Sequence, residues 1–318
     1  MKKVRVKVAA VSDETSSIKT FRLERADGSV FAPAPAGAHI DIVGPTEVTR
    51  QYSLCNAPDE GSYLVAVKLE PESRGGSAAL HGEVAVGTEL EVSEPRNLLN
   101  VATDADRHVL VAAGIGITPM ISIAYDLHRS NTDFELHYFA RSHAEAAFTE
   151  LLEQRCGFTE SVRFHFGIPR GEQGAIMTAL AQDAGAGVHV YTCGPVGFME
   201  KVHDAFAPVI GEAQFHIEHF EAEAIDASHD TAFEVELDTG EVFEIPADRS
   251  IVDVLQENGI EVDTSCKEGI CGTCVMGVLE GVPEHRDNCL STSEKAANDQ
   301  MATCVSRTCG KRLLLELF

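Results

Sequence analysis

Between Thr264 and Gly277 the chain reads "TSCKEGICGTCVMG", which sets Cys266, Cys271 and Cys274 within nine residues. A fourth thiol, Cys304, follows 30 positions after Cys274. The spacing C-x4-C-x2-C…C is that of a 2Fe–2S centre held by four thiolates. Such a centre is anionic. Small residues (here Ser265, Gly269, Gly272 and Thr273) let backbone N–H groups approach its sulfurs and offset that charge. A structural zinc site is the alternative, but it usually takes two C-x2-C pairs and only one is present. Spacing alone leaves the fourth ligand open, since Cys289 and Cys309 lie near Cys304. Nine cysteines in a chain of 318 residues point to metal or redox chemistry rather than a disulfide framework. Cys55, Cys156 and Cys193 are scattered singly, as small buried residues usually are.

A one-electron centre cannot accept a hydride, so something upstream must supply single electrons. "HVLVAAGIGITPM" sets Gly114 and Gly116 directly after an apolar run, with Pro119 opening a helix. Glycines admit a phosphate to the backbone, and a helix N-terminus offers it unpaired N–H groups. Pro119 replaces the third glycine of G-x-G-x-x-G, so an ordinary tight turn is the competing reading. "YTCGPVGFM" repeats the arrangement, placing Cys193, Gly194 and Pro195 at the carboxyl edge of a later strand. In "RQYSLCNAP", Arg50 offers a charged fork for phosphate, Tyr52 a flat face for a ring system, and Ser53 a hydroxyl for a ring edge. Strand alternation puts Arg50, Tyr52 and Leu54 on one side and Ser53 on the other. "ESRGGSAAL" supplies Arg74, Gly75, Gly76 and Ser77 ahead of a helix. That is a second phosphate cradle when taken with Arg50, and a flexible turn when taken alone.

These motifs need three kinds of scaffold. Residues 1–103 carry short β-like runs such as "VRVKVAAV", "IKTFRLER", "HIDIVG", "SYLVAVKL" and "TELEVSEP", broken by turns, which predict an antiparallel barrel or a sandwich. Residues 104–225 alternate strands and helices, which predicts an α/β parallel sheet. Acidic, aperiodic "HFEAEAIDASHD" reads as a linker. Residues 231–318 begin with a hairpin around 238–240 and a short helix capped by Ser250 and ended by Gly259. "QMATCVSR" reads as a strand running past the cysteine loop.

The formal net charge of -25 argues against nucleic acid and anionic membranes as partners and favours a basic docking surface. A merely acidic, soluble enzyme is the plainer alternative. No apolar run reaches the roughly 18 residues of a membrane helix, and the start "MKKVRVKVAA" is not a secretory signal, so a cytoplasmic location is expected.

Taken together, "GAHIDI", "RQYSLCNAP", "RGGS", "GIGITP", "YTCGP", "CKEGICGTC" and "GKRLLLEL" resemble the phthalate dioxygenase reductase family over essentially the whole chain. Within it the similarity is greatest to vanillate O-demethylase and carnitine monooxygenase reductases. The last 88 residues resemble plant-type ferredoxins, which implies a β-grasp fold. The resemblance implies FMN in the barrel, NADH on the α/β domain, a 2Fe–2S cluster, and a terminal Rieske non-haem iron oxygenase as partner. It sets Arg50, Gln51, Tyr52 and Ser53 at the flavin, bordered by Ala66, Val67 and Lys68, with Arg74, Gly75, Gly76 and Ser77 on the phosphate. Gly114, Gly116, Pro119, Cys193, Gly194 and Pro195 frame the dinucleotide, and Phe220 packs near the ring system. Ser53, Thr118 and Cys193 stand where nicotinamide and flavin react, without any acting as a general acid or base. Cys266, Cys271, Cys274 and Cys304 bind iron. A monomer is expected.

Two rivals share these residues. One keeps the cofactors but reduces a separate ferredoxin or cytochrome. The other is a redox sensor, for which three motifs in transfer order have little use. Arg141 and Ser142, after the second α/β strand, could attract a ribose phosphate, so NADPH competes with the NADH that the resemblance implies.

Overall fold

The computed structural model describes residues 2–71, 75–185, 187–222 and 225–317. The chain forms two compact units, Met1–Glu218 and His219–Phe318.

In the first unit, alternating apolar and polar residues build β1 (Lys3–Thr15), β2 (Ile18–Arg25), β3 (His39–Val43), β4 (Thr49–Ser53), β5 (Tyr63–Lys68) and β6 (Glu89–Ser93), with α1 (Gly76–Glu83) before β6. The sheet is antiparallel, in the order β4-β3-β6-β1-β2-β5. A bridge between Leu54 and Val65, with Cys55 N–H donating to Leu64 O at 2.8 Å, joins the outer strands and closes the barrel. Val6, Leu23, Ile40, Val65 and Val67 fill its interior, and Leu80 of α1 packs onto them.

From Arg107 onward, continuous apolar runs replace alternation, and such strands need both faces covered. β7 (Arg107–Ala113), β8 (Phe134–Ala140), β9 (Val162–Phe166), β10 (Val188–Cys193) and β11 (Phe215–Glu218) pair in parallel in the order β11-β10-β7-β8-β9. Between them run α2 (Ile117–Arg129), α3 (Arg170–Ala184) and α4 (Val196–Ile210). Met177 of α3 and Phe198, Val202 and Phe206 of α4 pack with Val109, Val111 and Val190. Each such buried side chain contributes about 1.5–3 kcal/mol. β8 and β9 extend the sheet to one side of β7, and β10 and β11 to the other. The carboxyl ends of β7 and β10 are therefore the switch point, where open α/β sheets receive ligands.

The second unit is a β-grasp module. β12 (Phe233–Leu237), β13 (Val242–Ile245), α5 (Ile251–Glu257), β14 (Val275–Glu280), β15 (Pro283–Glu284), α6 (Thr292–Ala297), β16 (Gln300–Ala302), β17 (Arg307–Thr308) and β18 (Arg312–Glu316) follow in order. The mixed sheet runs β13-β12-β18-β14-β16, and β15 and β17 form a small ribbon. Ser250 caps α5 by accepting from Asp253 N–H, as its sequence position predicts. One expectation is corrected. The strand through "QMATCVSR" stops at Ala302, and Ser306 N–H donates to Ala302 O at 3.0 Å, so Cys304 sits in a turn. That turn aims the thiol back at the cysteine loop.

Candidate redox sites

At the switch point the loops after β7 and β10 touch. A Cβ on Gly116 would stand 2.2 Å from Cys193 O and 2.7 Å from Gly194 N. No side chain fits there, which is the physical reason for glycine in "GIG". α2 begins at Ile117 and carries Thr118 and Pro119 in its first turn, both buried. Thr118 Oγ1 donates to Ile115 O at 2.9 Å and so braces the loop. Pro195 precedes α4, and its carbonyl accepts Phe198 N–H at 2.8 Å. Two helix N-termini thus face one strand-end crevice, a geometry suited to a pyrophosphate.

At the barrel, the two phosphate motifs meet. A Cβ on Gly76 would lie 2.9 Å from Arg50 Cγ, so the arginine stem crosses directly over the start of α1. Ser77 Oγ accepts Glu70 N–H at 3.2 Å. Gln51 Nε2 is buried without a hydrogen-bond partner among the described residues, a donor available to a ring acceptor. Tyr52 packs against the barrel core, while Ser53 ends β4 on the opposite side. Ala66 and Val67 are buried; the Val67 side chain belongs to the barrel interior and its carbonyl accepts from His81 Nε2 at 2.8 Å. Lys68 is exposed and pairs with Glu70 at 2.7 Å. Arg74 lies outside the described residues. Phe220 is half-buried and stands two residues past Glu218.

Glu218 is a residue that the sequence reading missed. It ends β11 directly beside Cys193 of β10 and is buried. Ser53 Oγ lies 3.4 Å and 3.5 Å from its two carboxyl oxygens, and His39 Nδ1 lies 3.8 Å away. Burial pushes the Glu218 carboxyl up to about 8, against a smaller lowering by the Ser53 hydroxyl. Burial pushes His39 down to about 4. The Cys193 thiol is raised well above its usual range by burial and then by Glu218, so it is a neutral thiol. Counting "FHIE" as a fifth parallel strand would have found Glu218, because its end falls at the ligand edge of the sheet.

In the second unit the four thiols fall into two interacting pairs, Cys266 with Cys271 and Cys274 with Cys304. In each pair one thiol is held below its usual range by its partner, Cys271 by Cys266 and Cys274 by Cys304. Glu268 N–H donates to Cys266 Sγ at 3.3 Å and Thr273 N–H to Cys271 Sγ at 3.5 Å. Ser265 Oγ, next to the first thiol, is buried without a partner among the described residues. No three His, Cys, Asp or Glu side chains among the described residues converge on one ion. Two thiol pairs, the first of them lined with N–H donors, fit a binuclear cluster rather than a single zinc.

The class of protein follows from the order of the parts. A crevice for a dinucleotide adjoins a barrel rim, and the ligands for a one-electron centre come last in the chain, which is the layout of an iron–sulfur flavoprotein reductase. Residues 235–309 match the family model for a 2Fe-2S iron-sulfur cluster binding domain. The chain is 42% identical over 317 residues to vanillate O-demethylase oxidoreductase of Pseudomonas sp. (strain HR199 / DSM 7063), covering 99% of this chain and 100% of that one. It is similar to the crystal structure of phthalate dioxygenase reductase, described as modular for electron transfer from pyridine nucleotides to 2Fe–2S (TM-score 0.72, 34% identity, 99% of this chain and 98% of that chain). It is also similar to an intact type IV self-sufficient cytochrome monooxygenase (TM-score 0.88, 36% identity, 98% of this chain), of whose chain it spans 41%. The chain belongs to the phthalate dioxygenase reductase family that includes the vanillate O-demethylase oxidoreductases. It is an oxidoreductase that moves electrons from NADH through FMN to a 2Fe–2S centre.

Proposed function

We propose that the chain is the reductase of a two-component Rieske-type oxygenase or demethylase, working as a cytoplasmic monomer. When bound, FMN would supply the conversion of a hydride's electron pair into single electrons, for which a 2Fe–2S centre held by the four thiols would be the one-electron outlet. The observation that carries this reading is the meeting of Ser53, on the barrel rim, with Glu218 beside Cys193 on the nicotinamide side. It brings the two cofactor-binding parts of the first unit to one point.

The residues divide the work as follows. Arg50, with Gly75, Gly76 and Ser77 and with Arg74 by motif, holds the flavin phosphate. Gln51, Tyr52, Ser53 and the backbone of Ala66, Val67 and Lys68 border the ring. Gly114, Gly116, Thr118, Pro119, Gly194 and Pro195 hold the dinucleotide. Cys193 and the protonated Glu218 present neutral groups where nicotinamide and flavin must align at about 3–3.5 Å. Neither need move a proton for hydride transfer. Cys266, Cys271, Cys274 and Cys304 would hold the cluster, one thiol pair to each iron.

An oxygenase acceptor fits the relatives, which include a carnitine monooxygenase reductase subunit and a phenoxybenzoate dioxygenase subunit. No helix among the described residues is long and apolar enough to cross a membrane. The test is to purify the protein, identify its released flavin, and mix it with NADH and a purified Rieske oxygenase. Bleaching of a flavin and 2Fe–2S spectrum, then reduction of the Rieske centre, is the expected result. Rapid reduction of a small ferredoxin but not of any Rieske protein overturns the assignment of the acceptor.

A further inference from the structure

One buried charge in the second unit has no place in the scheme above. The Asp287 side chain is 0% exposed. Leu290 N–H donates to its Oδ2 at 2.9 Å, Cys289 Sγ to Oδ2 at 3.4 Å, and Ser306 Oγ to Oδ1 at 3.2 Å. Ser306 Oγ itself accepts Arg286 N–H at 3.2 Å, which directs its proton to Asp287. Three donors suit a carboxylate, which can only accept. No lysine or arginine among the described residues pairs with this carboxyl. Arg286 is committed to Asp230, at 2.9 Å and 2.6 Å, and His285 Nδ1 stands 3.6 Å from Oδ1.

Asp287 also abuts the thiol cage. A Cβ on Gly269 would meet Asp287 Cα at 3.1 Å and Val305 Cγ2 at 2.6 Å, so the cysteine loop lies on the Asp287 backbone. Gly269 O accepts Asn288 N–H at 2.8 Å. Cys289, which donates to Asp287, packs in one cluster with Cys274 and Cys304.

We propose that Asp287 is a positioning residue that lowers the reduction potential of the 2Fe–2S centre, a reading that rests on the proposed function. A buried negative charge beside an anionic cluster opposes the added electron, and each donor to the carboxyl softens that opposition. The two substitutions therefore act in opposite directions. Asp287→Asn removes the charge and raises the potential. Ser306→Ala removes a donor, leaves the charge less screened and lowers the potential.

The experiment is an anaerobic redox titration of the full-length protein carrying FMN and cluster, followed by visible and EPR spectra. With Asp287→Asn, the ratio of reduced to oxidised cluster at the wild-type midpoint rises at least tenfold, which is about 59 mV for one electron. Ser306→Ala moves the midpoint the other way, and the FMN potential stays put in both. Shifts of the same sign, or none, overturn the proposal, as does loss of the cluster from both variants. If only one variant keeps its cluster, the sign of its shift decides. A wild-type protein without a 2Fe–2S spectrum defeats the reductase reading. A normal wild type with indifferent variants defeats only this proposal.

Discussion

Ser53 and Glu218, 165 positions apart in the chain, lie with the serine hydroxyl 3.4 Å from a carboxyl oxygen. Their contact joins the end of β4 to the end of β11, and it buries the one acid at the ligand edge of the parallel sheet whose proton is held to about 8. A glutamate in the unfolded chain titrates near 4.5. Between these values the native state keeps a proton that the unfolded chain has released, so stability falls as pH rises through that window. Below about 6.5 the lowered histidines His39, His165 and His216 act in the opposite sense, because the unfolded chain binds protons there that the native state refuses. Between pH 6.5 and 8 the acid alone accounts for a fall of ~2 kcal/mol at one pKa unit per 1.36 kcal/mol, while the lowered thiols Cys271 and Cys274 slope the other way. The thiols are common to both proteins, so the stability of the wild type minus that of Glu218→Gln, from denaturant melts across that interval, should slope downward.

The contact of Gly116 with the Cys193 carbonyl makes a second expectation. An alanine there must part the two loops, since its Cβ would stand 2.2 Å from that oxygen. A shift of about 1 Å at a reacting site costs about 100-fold in rate. Stopped-flow reduction of the flavin by NADH should slow by about that factor in Gly116→Ala. The cluster spectrum, which arises in the other unit, should stay intact. A flavin reduced at the wild-type rate would show that the dinucleotide does not use this crevice.

Strands with a strong pattern were legible in the sequence, and those without one were not. "IKTFRLER" and "FELHYFA" are β2 and β8 to the residue, because runs of seven or eight residues rich in aromatic and β-branched side chains stand out as strands. β9 was not foreseen: "VRFHF" alternates as a strand does, but over only five residues. α3 was not foreseen either, because only Met177 and Ala181 on it are buried. The site divides the same way. Thiols, glycines and Arg50 announce their chemistry by type and spacing. Glu218 and Asp287 acquire theirs only through burial, which the fold supplies from distant segments.

The four-thiol cage yields a prediction that separates it from its neighbours. Cys304 is buried and packs in one cluster with Cys274, whereas Cys309 is exposed with its thiol 3.6 Å from Pro283 O. Cys304→Ser should lose or strongly alter the 2Fe–2S spectrum and cut transfer to a one-electron acceptor more than about 100-fold, while NADH still bleaches the flavin. Cys309→Ser should behave as wild type. A normal cluster in Cys304→Ser would move the fourth ligand to another thiol, with Cys289 the first to substitute.

Charge gives the last expectation. Residues 231–318 carry 17 acidic and 7 basic side chains, so the cluster-bearing unit holds a large part of the net charge of -25. Interactions between exposed charges are screened over about 8 Å at physiological salt, and steered association falls steeply as that length shortens. Electron delivery to an oxygenase with a basic docking surface should therefore slow several-fold between about 0.05 and 0.5 M salt. Hydride transfer inside the first unit involves no encounter between proteins, so flavin reduction at saturating NADH should hold nearly constant over the same range. Measuring both rates on one preparation separates docking from chemistry. If the two fall together, salt is acting on the reductase itself. If neither falls, the acidic surface serves solubility and the partner is recognised by other contacts.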